Sequence, residues 1–343
     1  MKNLILFASV LLLVSCSSSK NSIEDDPNID YAMKYAASIT EKDLAKHLFI
    51  YASDEFEGRD TGEPGQKKAI AYLKNFYVNK KIASALGGSD YFQEVPAAFL
   101  NNRTRKKLIK PSENVVAFIK GSEKPDEVIV ISAHLDHVGM RDGKIYNGAD
   151  DDGSGTVGVL EIAEAFQMAV KAGKGPKRSI LFLHVTGEEK GLLGSKYYVE
   201  NPIFPLANTV ANLNIDMIGR IDEKHKDNPN FVYLIGADKL STDLHNLSEA
   251  MNNKYTKIDL DYTYNDENDP NRFYYRSDHY NFAKYNVPII FYFNGTHEDY
   301  HKHTDTPDKI NYDLLETRTR LVFHTAWEIA NRDARLVIDK AKK

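Results

Sequence analysis

The sequence predicts a single α/β domain with a mainly parallel, mixed central sheet and helices on both faces. Three observations carry this expectation. Six apolar runs of strand length, "NVVAFIKG", "EVIVISAHLD", "SILFLHVTGEE", "VANLNIDMIG", "FVYLIGA" and "VPIIFYFNG", are nearly continuous instead of alternating, the pattern of strands buried on both faces. Helical patterns over 154–171, 191–200, 239–254, 277–285 and 312–333 alternate with them, and such alternation builds a parallel sheet. No internal repeat or linker interrupts the body, so residues 36–343 read as one domain.

Taken in order, the chain opens with "MKNLILFASVLLLVSCSSSK". Lys2 precedes an apolar run from Leu4 to Val14, too short to span a membrane as a helix and of the form of a secretory signal over residues 1–15. "LVSC" resembles the lipobox of bacterial lipoproteins. It implies cleavage before Cys16, a lipidated Cys16 that anchors the chain, and a place in the cell envelope at the periplasmic face of the outer membrane. Cys16 is the only cysteine, so with its thiol acylated no disulfide or thiolate ligand remains, and any metal must be held by His, Asp and Glu. Residues 16–35 are polar and read as a flexible tether.

Next, "ITEKDLAKHLFIYASDEFEGRD" predicts a helix capped by Thr40 with Asp43 in its first turn. "PGQKKAIAYLKNFYVNK" predicts a second that starts at Pro64. Spacing assigns no role to "DEFEGRDTGEPG" between them. The charge balance, 44 basic against 49 acidic residues for a net −5, excludes an extended nucleic-acid surface.

Polar groups gather where the strands end. In open α/β sheets ligands sit beyond the carboxyl ends of the strands, and three predicted strands end in metal-capable residues: His134 and Asp136, Glu188 and Glu189, and Asp216. One such ending is common; three in one chain point to a site. His134 and Asp136 are two apart and share a face while the chain is extended. In "NGADDDGSG", Asp150, Asp151 and Asp152 repel one another unless cations neutralise them. Gly148, Gly153 and Gly155 allow tight backbone paths there, and Ser154 is expected to cap the following helix. An acid turned back over the sheet by this loop is placed to bridge two metal ions. In "TGEEKGLLGS" adjacent side chains diverge, so one glutamate is free to ligate while the other faces water. "NGTHEDYHKHTDTPDKI" offers His297, His301 and His303. Neutral imidazole suits zinc, and spacing alone leaves open which ring is used.

"AHLDHVG", "NGADDDGSG", "GEEKGLLGS", "NIDMIG" and "DYHKHTDTPDKI", in this order and spacing, resemble metallopeptidase family 28, the two-zinc aminopeptidases. "SDEFEGRDTGEPGQKKA" resembles the segment before the catalytic core in bacterial members, and the interval from Tyr91 to Glu127 leaves no room for a protease-associated insert. The resemblance implies two zinc ions per chain, one on His134, Asp216 and a shared Asp151, the other on Glu189, His301 and the same Asp151. It makes Asp150 and Asp152 supporting residues and gives Asp136 the task of orienting His134. Glu188 would be general base toward a water between the metals, and Tyr300 a donor to the developing oxyanion. His301 fits the family's histidine because it follows Tyr300 and stands four before Asp305, although His303 occupies a place where relatives often differ. The implied substrates are peptides with a free N-terminus; a carboxypeptidase specificity also occurs in the wider family. Two rivals share the fold: a single-zinc glutaminyl cyclase and a non-catalytic binding protein. The stretch 259–280, "DLDYTYNDENDPNRFYYRSDHY", is a candidate pocket wall, and Asp266, Glu267 and Asp269 within it are a candidate calcium set.

Overall fold

A computed structural model describes residues 29–102 and 108–341; the leader, Cys16 and most of the tether lie outside the described residues. The strands are β1 (Ala83–Ser84), β2 (Phe92–Val95), β3 (Ser112–Ile119), β4 (Lys124–His134), β5 (Met140–Arg141), β6 (Lys144–Ile145), β7 (Arg178–Val185), β8 (Thr209–Ile215), β9 (Phe231–Ile235), β10 (Asp259–Asp261) and β11 (Ile289–Phe293). The main sheet runs β1-β3-β7-β4-β8-β11-β9-β10, with β2 also on β3. β5 and β6 form a separate ribbon.

The predicted parallel sheet is its centre: β7, β4, β8 and β11 pair in parallel. Toward the flanks β3 joins β7 antiparallel and β9 joins β11 antiparallel. Period two sorts the central strands between two cores. Ile129, Ile131 and Ala133 of β4 face a layer built by helices Glu41–Tyr51, Pro64–Lys80, Gly155–Lys171 and Tyr312–Asn331. Val128 and Val130 face the opposite layer, with Tyr198 and Phe282 from helices Leu193–Glu200 and His279–Ala283. Every residue of β7 and β8 is buried, which is why their sequences show no polar alternation.

Local chemistry sets the helix boundaries. Thr40 caps as expected, its Oγ1 accepting the Asp43 N–H at 3.1 Å. The expected helix over 239–254 is instead two, Ala237–Leu240 and Thr242–Met251. Ser241 between them is extended, and its hydroxyl accepts the Leu244 N–H. A serine that can cap a new helix competes with continuing the old one. Among the described residues, no helix is long and apolar enough to cross a membrane.

Candidate metal centre

Because β7, β4 and β8 are parallel neighbours, their carboxyl ends open side by side. His134 closes β4, Glu188 and Glu189 follow β7, and Asp216 follows β8. Between β4 and helix Gly155–Lys171, the aspartate loop folds back over these ends. All three of its carboxylates are buried, each against different partners. Asp152 turns inward to accept the N–H groups of His134, Gly155 and Met217. Asp150 accepts from Gly219 N–H and Ser154 Oγ, with His297 Nε2 3.2 Å away. Asp151 is left to project both oxygens over the sheet. Its own and the Asp150 N–H groups are held by the Asp305 carboxylate. The expected Ser154 cap is absent: that hydroxyl donates to Asp150, and Asp152 accepts the first helical N–H instead.

Two donor clusters meet at Asp151. On one side His134 Nε2 lies 3.2 Å from Asp151 Oδ1 and 3.5 Å from Asp216 Oδ1. On the other, His301 Nε2 lies 3.0 Å from Asp151 Oδ2 and 3.4 Å from Glu189 Oε2. His137 joins this second group, with Nδ1 2.8 Å from Glu189 Oε1 and 3.7 Å from Asp151 Oδ2. Donors around a four-coordinate zinc at about 2.0–2.1 Å stand roughly 3.3 Å apart, so both spacings suit such an ion. His134 Nε2, Asp151 Oδ2 and Glu189 Oε1 are buried without a hydrogen-bond partner, a state that native proteins rarely tolerate unless something else satisfies it. His, Asp and Glu groups that could hold metal are therefore present on both sides of Asp151.

The electrostatics agree. Burial pushes the Asp151 carboxyl up, but His137, His134 and His301 outweigh it and hold it well below the usual range. Burial and Asp151 likewise raise Glu189, and His137 and His301 bring it down to about 2. Burial lowers His301, yet the Asp151 and Glu189 carboxylates lift it to about 10. The cluster carries more negative charge than its own groups balance, and it draws in positive charge.

Glu188 stands beside the clusters without belonging to either. Burial raises its carboxyl well above the usual value; His134 opposes this, while Asp216 and Glu189 add to it. Glu188 lines a cleft of about 440 Å³ together with Tyr300, Met217, Phe273, Phe291 and Phe293. Burial, then Asp151 and Asp216, keep the Tyr300 phenol well above its ordinary pKa, so it remains an O–H donor.

One expected role changes. Asp136 does not orient His134 through its carboxylate. His134 Nδ1 faces the backbone oxygen of Asp136 at 3.0 Å, while the carboxylate accepts from Thr61 Oγ1 and from the Glu188 N–H. The reason is that β4 ends at His134, so the period-two rule no longer governs Asp136. Its side chain braces the glutamate pair instead. Of the three candidate histidines, His301 reaches the cluster, His297 buttresses Asp150, and His303 Nε2 accepts from Lys144 Nζ at 3.0 Å. The stretch 259–280 contributes Phe273, Tyr275 and Arg276 to the cleft. Asp266 and Asp269, proposed for calcium, accept local N–H groups of Asn268, Asn271 and Phe273.

Residues without a motif complete the frame. Arg59, 1% exposed, donates to the carbonyls of Leu135, Tyr51, Asn147 and Gly148, which explains "DEFEGRDTGEPG". A buried relay also ends on Asp216. Asn212 Nδ2 donates to Ser132 Oγ, Ser132 Oγ to Asn214 Oδ1, Asn214 Nδ2 to Ser277 Oγ, and Ser277 Oγ to Asp216 Oδ2 at 2.6 Å. His137 had one signal in the sequence: a third polar side chain in "HLDH". Arg59 and Thr61 lay in a segment that the resemblance covers and Ser277 in the candidate pocket wall, yet nothing local assigned their roles, because their contacts span from 8 to 89 positions along the chain.

The family model described as Peptidase family M28 matches residues 114–326. A Trichophyton equinum protein named Leucine aminopeptidase 2 is 26% identical over 320 residues, covering 80% of this chain and 60% of that one. An Arabidopsis thaliana protein named Probable glutamate carboxypeptidase AMP1 is 38% identical over 109 residues, 32% of this chain and 14% of that one. The chain thus spans less than two thirds of these relatives. Among solved structures, an aminopeptidase from Aneurinibacillus sp. strain AM-1 superposes with a TM-score of 0.65 at 15% identity, over 90% of this chain and 98% of that one. LapB from Legionella pneumophila gives 0.66 at 21%, over 88% and 75%. These two likenesses establish the fold.

Proposed function

Because the chain belongs to peptidase family M28, we propose that it is a two-zinc exopeptidase that removes N-terminal residues from peptides. The observation that carries this is the double engagement of Asp151: each of its oxygens faces a different donor cluster, with Glu188 free beside them. His134, Asp151 and Asp216 would hold one ion; Asp151, Glu189 and His301 would hold the other. Zinc bound there supplies Lewis acidity toward the scissile carbonyl and toward water.

The remaining steps belong to the chain's own side chains. Glu188 accepts the proton of the attacking water and returns it to the leaving amine. Asp136 holds the Glu188 backbone N–H, which fixes where that carboxylate stands. Tyr300 donates its phenol hydrogen to the developing oxyanion. Met217, Phe273, Phe291 and Phe293 form an apolar wall suited to an apolar side chain next to the scissile bond. The likeness of most of the chain to a protein named a leucine aminopeptidase supports the same choice. Donor groups on both sides of Asp151, with Glu188 beside them, favour the two-zinc peptidase over a single-zinc cyclase or a non-catalytic binding protein.

Glu188→Gln tests the proposal. General-base removal costs ~10²–10⁴ in rate, roughly 3–5 kcal/mol of barrier at about 1.36 kcal/mol per decade. The loss should fall on kcat for an apolar aminoacyl anilide, with zinc content and stability held. A variant that keeps full activity would sink the mechanism, and one that loses zinc would mean that the two glutamates have exchanged roles. We further propose that lipidated Cys16 anchors the enzyme in the cell envelope, facing the periplasm, on the strength of "LVSC" alone. Cys16→Ala should release it or leave it unprocessed; normal processing with continued membrane partitioning would refute the anchor.

A further inference from the structure

His137 has no part in the motif assignments, yet it sits inside the second cluster. We propose that His137 Nδ1 is a fourth protein donor to the second metal ion. The two sites then differ in kind: His134, Asp151 and Asp216 leave one three-donor site open, and Asp151, Glu189, His301 and His137 make the other a four-donor site. This inference rests on the two-zinc reading above.

Distance is the first argument. Around a tetrahedral zinc, donor atoms stand roughly 3.3 Å apart. The His137 Nδ1 contacts, 2.8 and 3.7 Å, bracket that value much as the 3.0 and 3.4 Å of His301 do.

Burial is the second argument. His137 Nδ1 lies 2.8 Å from Glu189 Oε1, and both atoms are shut away from water, as His134 Nε2 is beside Asp151. Donors packed this closely out of reach of solvent need a shared positive partner.

Rigidity is the third. The His137 side chain is fully buried, and its backbone N–H is bound by the Arg59 carbonyl. Gly148 lies against the ring: a Cβ there would come within 2.5 Å of the imidazole carbons. Glycine at 148 is thus required by the closeness of the ring as well as by its φ of +55°. His301, in contrast, is 40% exposed on the rim. The inner donor is fixed and the outer one faces solvent, so loss of His301 would still leave Asp151, Glu189 and His137 to hold an ion.

Zinc K-edge absorption on the zinc-loaded wild type gives the direct test. The proposal requires three histidines shared over two ions; two histidines would overturn it. Chelator-competition titration of the metal-free protein gives the second test. His137→Phe keeps ring volume without a donor and should weaken the second equivalent by at least about 10–100-fold, the loss typical even for groups one step removed from a metal. His137→Asn, which offers an amide oxygen near the Nδ1 position, should recover part of that loss. His301→Ala should still bind two equivalents. Wild-type affinity for both ions in His137→Phe would overturn the proposal with the two-zinc reading intact. A wild type that binds a single ion would bring down that reading and this inference together. Should His137→Phe fail to fold, the histidine count on the wild type decides alone.

Discussion

Replacing Arg59 by methionine would remove the clamp that joins both metal-bearing loops. Its guanidinium makes four hydrogen bonds to carbonyls: Leu135 at 3.1 Å, Tyr51 at 3.3 Å, Asn147 at 2.6 Å and Gly148 at 2.8 Å. It also lies 4.7 Å from the Tyr51 ring centroid. Bonds from a charged donor contribute about 1.5–3 kcal/mol each, so four give roughly 6–12 kcal/mol. Against this stands the several-kcal/mol cost of burying a cation that only carbonyl dipoles neutralise. The difference, about 3–5 kcal/mol, is the expected destabilisation. At roughly 2 °C per kcal/mol for a domain of this size, calorimetry on the metal-free protein should show Tm lower by about 6–10 °C. Leu135 adjoins His134, and Gly148 opens the aspartate loop, so zinc affinity should fall as well, by about 10–100-fold. Arg59→Lys keeps the charge but not the fork and should fall between. A Tm shift under about 2 °C with unchanged zinc affinity would refute the clamp.

Three other outcomes follow from the same geometry. Asp151→Ala should weaken both zinc equivalents in a chelator titration, whereas Asp216→Ala should weaken one; equal effects would remove Asp151 from its bridging place. Tyr300→Phe should lower kcat by about 10²–10³ with KM little changed, the loss typical of one oxyanion donor, and unchanged kinetics would dismiss that donor. Glu161, buried beside His47 at 3.6 Å, has its carboxyl raised from 4.5 to about 8, chiefly by burial. Its folded value lies above the unfolded one, so its contribution to stability is complete below pH 4.5 and is lost as pH rises to about 8, roughly 4–5 kcal/mol at 1.36 kcal/mol per unit. Glu161→Gln should therefore gain on the wild type by that order between about pH 5 and about pH 9 in urea unfolding, and a constant difference would contradict it.

The fold was legible because its signals are local. Continuous apolar runs marked β4, β7 and β8, and a threonine and a proline marked two helix starts. The ligand candidates were legible because the topology sends parallel strand ends to one edge, so His134, the Glu188–Glu189 pair and Asp216 needed no tertiary knowledge beyond that rule; the family resemblance alone picked Glu189 within its pair. What escaped depends on contacts between distant segments. Asp136 shows the limit most clearly: its spacing from His134 was informative only while the chain stayed extended, and the strand stops two residues before it. Among His297, His301 and His303 spacing alone left the choice open and the family resemblance selected His301, which a turn carries at a φ of +55°. The helix break at Ser241 was not foreseen, because the helical pattern over 239–254 does not show how strongly a serine within it will cap a new helix.

The relay ending on Asp216 bears on how this protein is able to vary. Each hydroxyl in it accepts one hydrogen bond and donates the next, and each asparagine is used at both ends of its amide or anchors the start. Such a chain has a direction, with every hydrogen pointing toward the carboxylate. A single change, Ser132→Ala for instance, does more than delete one bond: it takes a partner from the amide on each side, both fully buried, and leaves the next link free to turn around. Ser132, Asn212, Asn214 and Ser277 therefore form one inheritable unit. Single steps away from it pass through a damaged intermediate, so a variant with a different filling at this place would have to change several of the four at once.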